Sequence, residues 1–432
     1  MKKAIEKLLD SVEEKDILQY AYNQKCEIPV YYSGPVWDRE ELIAAITTLL
    51  TGAWLSSGEQ VKKFENEFSK GVGLKHSLMV NSGSSANLVL IGAAKTVFEW
   101  EDDDEIIVSV VGFPTTVAPV IQNNLKVVFV DIEMDSLNFD LNKIEEKITS
   151  KTKAIFHSPV LGNPVDMDRL QNICQKHDIL LLLDGCDSLG TQWDSNPLPS
   201  YSIASTCSFY PAHHISTGEG GMVSSNNKEL MEVARSMASW GRGCYCVGSC
   251  NLLKDGMCGR RFSPWLDSYD GVVDHKYVFT NIGYNLKPLD LQGAIGLVQL
   301  KKSNEIHTKR RSNKRIIESL LSQYVEGVSI PQDTPGASTS WFGVPIICES
   351  RDLKQKLVNF LESNKIQTRN YFSGNILLHP AYHSLDSYKA YPNANQVLDR
   401  VFFLGTSPSY RSRTFEYIKT VLEKWKDENS SS

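Results

Sequence analysis

A long apolar run is what this chain of 432 residues most plainly lacks. No stretch approaches the ~18 consecutive apolar residues of a membrane span, which excludes a helical channel or transporter. The opening M-K-K-A-I-E-K-L-L-D is charged and amphipathic without an apolar h-region. No signal peptide is expected there, and a soluble, cytoplasmic protein is. A basic excess is missing as well. The 45 Lys and Arg against 51 Asp and Glu leave a formal charge of -6, which argues against nucleic acid as a partner, because phosphate contacts need a basic face. Nor do the cysteines pair off: nine of them, an odd count in a long chain with no signal segment, argue against a disulfide framework. Internal repeats and low-complexity blocks are absent too.

One further absence is local. Between Lys176 and Lys228 the chain has no lysine. Inside that gap lies S-F-Y-P-A-H-H-I-S-T-G-E-G-G, residues 208–221, a polar loop ending in Gly218, Gly220 and Gly221. It has the character of a cofactor-site wall. Loops of this shape often present a lysine to an aldehyde cofactor, yet His213 and His214 stand at its centre.

The length predicts two or three structural units. Short apolar runs at 76–80, 105–111, 125–130, 154–157 and 178–183 alternate with helical patterns, which predicts an α/β fold with a mainly parallel sheet covered on both faces. A charged helix is expected within 1–25, ahead of an extended Y-Y-S-G-P-V-W, and helical periodicity resumes from about 38. A long polar helix spans roughly 297–321. The expected organisation is an N-terminal arm over 1–37, a large domain over 38–310 and a small C-terminal α+β domain over 311–432, with D-E-N-S-S-S frayed at the end.

Ligands of such sheets bind beyond the C-terminal ends of the strands. After 76–80 comes N-S-G-S-S-A-N, entering a helix. There Gly83 permits close backbone approach, Ser84 and Ser85 offer hydroxyls, and the helix N-terminus offers N–H groups to an anion. After 105–111, G-F-P-T-T-V places Phe113 where a planar ring could stack. After 178–183, D-G-C-D-S-L-G puts Asp184, Cys186 and Asp187 at a strand end. Singly these read equally as an N-cap serine, a core phenylalanine and a capping aspartate. Together, in this order, they favour a phosphate-bearing aromatic cofactor.

From about residue 30 to 425 the chain resembles the sugar aminotransferase/dehydrase family, DegT/DnrJ/EryC1/StrS, of PLP-dependent fold-type I enzymes. The likeness includes L-S-S-G at 55–58 and G-Y-N-L-K-P-L-D-L-Q-G-A-I-G at 283–296. It implies an aspartate aminotransferase-like fold, a large domain with a mainly parallel seven-stranded sheet plus a small C-terminal α+β domain. It also implies Gly83, Ser84 and Ser208 as phosphate ligands, Phe113 as the stacking ring and Asp184 as the partner of the pyridine nitrogen. Such a carboxylate keeps that nitrogen protonated, so the ring can absorb electron density. Asn285 resembles the residue that reaches the cofactor of a neighbouring subunit, implying a homodimer.

His213 occupies the place of the aminotransferase lysine. The lysine gap rules out a covalently held cofactor on this loop, leaving pyridoxamine phosphate bound non-covalently and histidine as the base at C4′. S-F-Y-P-A-H-H with D-G-C-D resembles the 3-dehydrases of 3,6-dideoxysugar synthesis, in particular the group acting on CDP-4-keto-6-deoxy-D-glucose. Tyr210 and Asp187 differ from the residues expected in aminotransferases. They are assigned to positioning the base or excluding lysine chemistry.

Part of that group carries a [2Fe–2S] cluster. Four cysteines fall within 244–258, and with Cys186 they resemble its ligand set. Fifty-seven residues separate Cys186 from Cys244, one separates Cys244 from Cys246, and 11 separate Cys246 from Cys258. The last interval is longer than in the group, by an insertion containing Cys250. The M-C-G-R-R-F context favours Cys258 over Cys250 as fourth ligand beside Cys186, Cys244 and Cys246. Thiolates hold zinc as readily as iron–sulfur, but Cys186 lies two residues beyond Asp184, which favours electron transfer near the cofactor. The resemblance implies loss of the C3 hydroxyl from a CDP-4-keto-6-deoxyhexose through a pyridoxamine phosphate adduct, reduced by way of an NAD(P)H-dependent flavin or iron–sulfur reductase. D-H-K-Y at 274–277 resembles the nucleotide-sugar loop of the CDP group. The rival readings are a cluster-free histidine-type 3-dehydrase and a lysine-less PLP-binding zinc protein without turnover.

The lysine gap makes one direct prediction. Borohydride reduction of the protein mixed with pyridoxal phosphate leaves the 208–221 peptide unlabelled by mass spectrometry. A reduced amine mapped to that peptide would contradict it.

Overall fold

The computed structural model describes residues 2–12, 29–52, 54–244 and 261–429. Its first helix is α1 (Lys2–Asp10). Residues 13–25 of the expected N-terminal helix lie outside the described residues, as do Ser430 to Ser432 of the tail. Helix α2 (Arg39–Thr51) starts where the periodicity does, because Asp38 accepts from Glu40 N while Glu41 reaches back to the Asp38 backbone N–H. Those two bonds satisfy amides that a helix start leaves open.

The central sheet has seven strands: β1 (His76–Val80), β2 (Glu105–Ser109), β3 (Lys126–Val130), β4 (Thr152–His157), β5 (Leu180–Asp184), β6 (Ala204–Ser208) and β7 (Gly221–Ser225). Their order is β1-β7-β6-β5-β4-β2-β3. The pairings β6–β5–β4–β2–β3 are parallel, and β7 alone runs against its neighbours β1 and β6. Side chains alternate across it with period two. Ile106, Val108, Ala154, Phe156 and Leu182 join one core, whereas Ile107, Ile155, Leu181 and Leu183 join the core on the other face. The first core packs beneath α4 (Gly83–Val97), α5 (Pro114–Gln122) and α7 (Lys228–Met237), and the second beneath α6 (Met167–His177).

Five of the strands coincide with apolar runs. The other two, A-S-T-C-S and G-M-V-S-S, are buried strands made largely of small polar residues. Their hydroxyls are satisfied inside the protein: Ser224 pairs with Ser77 of β1 at 2.7 Å, and Thr206 donates to Asn87 Oδ1 on the covering helix at 2.6 Å. Buried polar groups so paired cost little, which is why polarity conceals these strands.

The long helix begins earlier than its polar pattern suggests. Helix α8 runs Asp290–Tyr324, 35 residues rather than the expected 297–321. Its first turns cross α3 (Glu59–Gly71) so closely that a Cβ on Gly296 would stand 2.6 Å from the Phe64 ring. Asp290 accepts from Val61 N at 2.9 Å, serving the open start of α3. Farther along, α8 gives Ile317 and Leu321 to a separate C-terminal core. That core packs α9 (Arg351–Ser363) and α11 (Ser412–Asn429) on a four-stranded sheet of β8 (Val328–Ser329), β9 (Gly343–Cys348), β10 (Thr368–Asn370) and β11 (Val401–Gly405), in the order β8-β9-β11-β10. A shorter helix, α10 (Ala394–Arg400), leads into β11. The fold is thus fold-type I aminotransferase-like, with a mainly parallel seven-stranded sheet and a small C-terminal domain. Among the described residues no helix is long and apolar enough to cross a membrane.

Phe64 is fully buried against Phe68 and Phe209, with ring centroids 5.9 and 5.1 Å away. Phe64→Ala is expected to destabilise the protein by about 3–5 kcal/mol, the usual cost of an emptied aromatic site, measured by denaturant unfolding.

Candidate active site

The parallel strands deliver their C-terminal ends to one edge of the sheet, and most of the candidate residues meet there. Asp184 closes β5 and is buried. Its Oδ2 accepts from Asn87 Nδ2 at 2.8 Å and from Thr116 Oγ1 at 2.6 Å, while Oδ1 lies 3.3 Å from the Cys186 amide. A buried carboxylate needs such donors, each charge-assisted bond being worth about 1.5–3 kcal/mol. Asp184 is therefore no helix cap; its partners come from α4 and α5, which carry Gly83 and follow Phe113.

Helix α4 is capped by Ser82, whose side chain accepts from Ser85 N at 3.1 Å. That leaves Gly83 and Ser84 at the open start of the helix, where an anion is favoured. Ser84 Oγ donates to Thr115 Oγ1 at 3.2 Å. Gly83 packs against the end of β6: an added Cβ would lie 2.5 Å from Ser208 Cβ and 3.0 Å from both Ser208 Oγ and Cys186 Sγ. Gly83, Ser208 and Cys186 thus share one cradle. Phe113 is 51% exposed, so it is no core residue, and it meets Phe372 of the small domain edge-on at 6.0 Å.

The two histidines of the 208–221 loop part company. His214 is buried, its Nε2 2.6 Å from the Ser340 carbonyl, and burial followed by the nearby charge of Arg310 holds it well below the usual histidine range. It is a neutral core residue. His213 keeps some exposure, with its ring 5.2 Å from Phe342 and 6.3 Å from Tyr210. Its Nδ1 stands 3.3 Å from Asp187 Oδ1, without the alignment of a hydrogen bond. Tyr210 is half exposed, and its carbonyl accepts from His213 N at 2.9 Å.

Asn285 stands apart. It is exposed, accepts from Lys287 Nζ, and makes no hydrogen bond to Asp184, Ser208 or His213 among the described residues. Of the cysteines, Cys186 is held well above the usual thiol range by burial, then by Asp184. Cys244 is half-buried at the edge of the described chain. Cys246, Cys250 and Cys258 lie outside the described residues. A cleft of ≈ 380 Å³ between α3 and α7 contains none of the candidate residues.

Several residues that shape the site carry little signal in the sequence. Asn87, Thr115 and Thr116 stand inside the motifs N-S-G-S-S-A-N and G-F-P-T-T-V, but only the folded chain turns them toward Asp184 and Ser84. The N-terminal arm also braces the histidine loop: Ser33 Oγ donates to Ala212 O at 2.6 Å, and Trp37 Nε1 to Ser216 O at 3.0 Å.

The chain is similar to known proteins along most of its length. The chain is 37% identical over 90% of its length to dTDP-4-dehydro-2,6-dideoxy-D-glucose 3-dehydratase of Saccharopolyspora spinosa, covering 85% of that protein. It is 35% identical over 91% of its length to the lipopolysaccharide biosynthesis protein RfbH of Salmonella typhimurium, covering 91% of it. Among solved structures it is similar to the E. coli GDP-4-keto-6-deoxy-D-mannose-3-dehydratase with bound hydrated PLP, at a TM-score of 0.79 and 29% identity, with 91% of this chain and 99% of that one covered. The model of one family matches residues 37–424, nearly the whole described chain, and the chain belongs to that family, the DegT/DnrJ/EryC1/StrS aminotransferase family.

Proposed function

We propose that the chain is a pyridoxamine-phosphate-dependent nucleotide-sugar 3-dehydrase acting on a CDP-4-keto-6-deoxyhexose in 3,6-dideoxysugar synthesis for lipopolysaccharide. The observation that carries this reading is His213, paired with Asp187, on a loop without lysine beside the buried Asp184. The residues fit the cofactor. Gly83, Ser84 and Ser208 line a cradle at an open helix start for its phosphate, Phe113 offers a half-exposed ring, and Asp184 Oδ1 is left with only a long contact. When bound, pyridoxamine phosphate supplies the amine that condenses with the sugar ketone and the ring that takes up electron density.

The remaining work falls to side chains. With Nδ1 of His213 turned to Asp187, Nε2 is the atom left to take the proton from C4′. The carboxylate of Asp187 then steadies the charged imidazole, as an acid steadies the histidine of a catalytic triad. The same Nε2 can return its proton to the departing C3 oxygen, so that water leaves rather than hydroxide. Phe342 packs against the histidine, and Phe372 meets the Phe113 ring edge-on.

A [2Fe–2S] cluster held by Cys186, Cys244, Cys246 and Cys258 would supply one-electron transfer from an NAD(P)H-dependent flavin or iron–sulfur reductase. Support comes from the position of Cys186, whose sulfur faces the Gly83–Ser208 cradle. A homodimer is supported by exposed apolar side chains at Tyr277, Phe279 and the 94%-exposed Ile282, close in sequence to Asn285. The choice of CDP rests on D-H-K-Y, where Asp274 caps the turn His275–Tyr277 and pairs with Arg261 at 2.7 Å.

Two experiments test the reading. His213→Asn is expected to slow C4′ proton exchange, followed by NMR, about 10²–10⁴-fold while pyridoxamine phosphate affinity stays within a few fold. Undiminished exchange would remove His213 from the mechanism. For the cluster, Cys186→Ala, Cys244→Ala, Cys246→Ala and Cys258→Ala should each bleach anaerobically purified protein in the visible region, whereas Cys250→Ala keeps its colour. All four bleached variants should retain C4′ exchange and fail only in reductase-coupled turnover. Colourless wild-type protein that turns over without a reductase would favour the cluster-free dehydrase, and stoichiometric zinc without iron would sink the redox step.

A further inference from the structure

Arg310 is 1% exposed, midway along α8, and faces the back of the histidine loop. Its hydrogen-bond acceptors are carbonyl and hydroxyl oxygens, and Asp187 acts on it only through charge, without a hydrogen bond. Through Nη2 it donates to Ala212 O at 3.4 Å and His213 O at 3.2 Å. Through Nη1 it donates to Phe342 O and to Thr406 Oγ1, each at 3.1 Å, with a longer contact of 3.5 Å to Trp341 O. Thr406 Oγ1 in turn donates to Trp341 O at 2.6 Å. The Nε has no hydrogen-bond partner among the described residues.

A buried cation without a hydrogen-bonded carboxylate is expensive, and a well-packed apolar side chain would usually serve stability as well or better. Burial lowers the guanidinium to about 10, so it remains charged at neutral pH. What the planar fork obtains is simultaneous hold on segments remote in sequence, from residues 212–213, 341–342 and 406, which a lysine's point charge cannot match. Two of the gripped residues are in direct contact: the Phe342 ring lies 5.2 Å from the His213 imidazole at 42°.

We propose that Arg310 is a positioning residue of the site. It sets the place of the His213 imidazole by holding, at one point, the backbone of the histidine and the backbone of the ring on which that imidazole rests. This deepens the reading of His213 as the proton-transfer base and rests on it. Arg310 itself touches no reacting atom; it acts through His213 and Phe342.

The test uses full-length protein loaded with pyridoxamine phosphate, and compares wild type with Arg310→Lys and Thr406→Val. Two readouts are followed: the C4′ exchange rate and the His213 imidazole cross-peak in histidine-labelled protein, assigned by its loss in His213→Asn. For Arg310→Lys the exchange rate should fall about 10–100-fold, the scale of an ångström-sized misplacement, with cofactor affinity changed less than about threefold. The cross-peak should be displaced. Thr406→Val, which keeps the guanidinium and removes one of its anchors, should move both readouts the same way by a smaller factor. If Arg310→Lys does not fold, Thr406→Val decides. A folded variant with wild-type exchange and an unmoved cross-peak overturns the proposal, as does a rate loss accounted for wholly by weaker cofactor binding. The base reading fails separately, through undiminished exchange in His213→Asn; a displaced cross-peak in Arg310→Lys would then still report the positioning.

Discussion

The structure is organised around one buried carboxylate. Asp184 sits at the end of the central strand β5, where its charge has little water, and it must be met by donors from elsewhere in the fold. Asn87 and Thr116 supply them from α4 and α5. Asn87 is itself fixed by Thr206 of β6, which donates to its Oδ1. The demand of one acid therefore ties two helices and two strands into a single arrangement. In that arrangement the open start of α4, the Phe113 loop and the end of β6 converge.

The histidine loop is held on a different principle. Its side chains face the site and the core, but its backbone carbonyls are captured from outside by Ser33, Trp37 and Arg310. Carbonyl capture leaves the side chains free to be chosen for chemistry. It also couples the loop to the N-terminal arm and to α8, which links the large and small domains. The small domain contributes directly: Phe342 rests against His213, and Phe372 against Phe113.

Much of this was legible in the residues. The apolar runs marked five of the seven strands, since each is a short stretch of mostly buried apolar residues. The two strands missed are rich in serine and threonine, whose hydroxyls are paired internally, a fact that no local pattern displays. The start of α8 was hidden in a different way. G-A-I-G disfavours helix by propensity, yet the helix runs through it because only glycine lets α3 approach so near.

What the sequence by itself determined is the fold class, the edge of the sheet at which a ligand is expected, and the absence of any lysine on the 208–221 loop. These follow from order and periodicity along the chain, which survive any arrangement in space. Only the tertiary structure gave neighbours of identical chemistry their different surroundings. Of two adjacent histidines it buried His214 against Ser340 and left His213 beside Asp187. It likewise made Arg310, one of two consecutive arginines in a polar helix, the one that is fully buried. Such choices depend on which face of a helix or loop meets a distant segment, and that is set by packing between parts of the chain about a hundred residues apart.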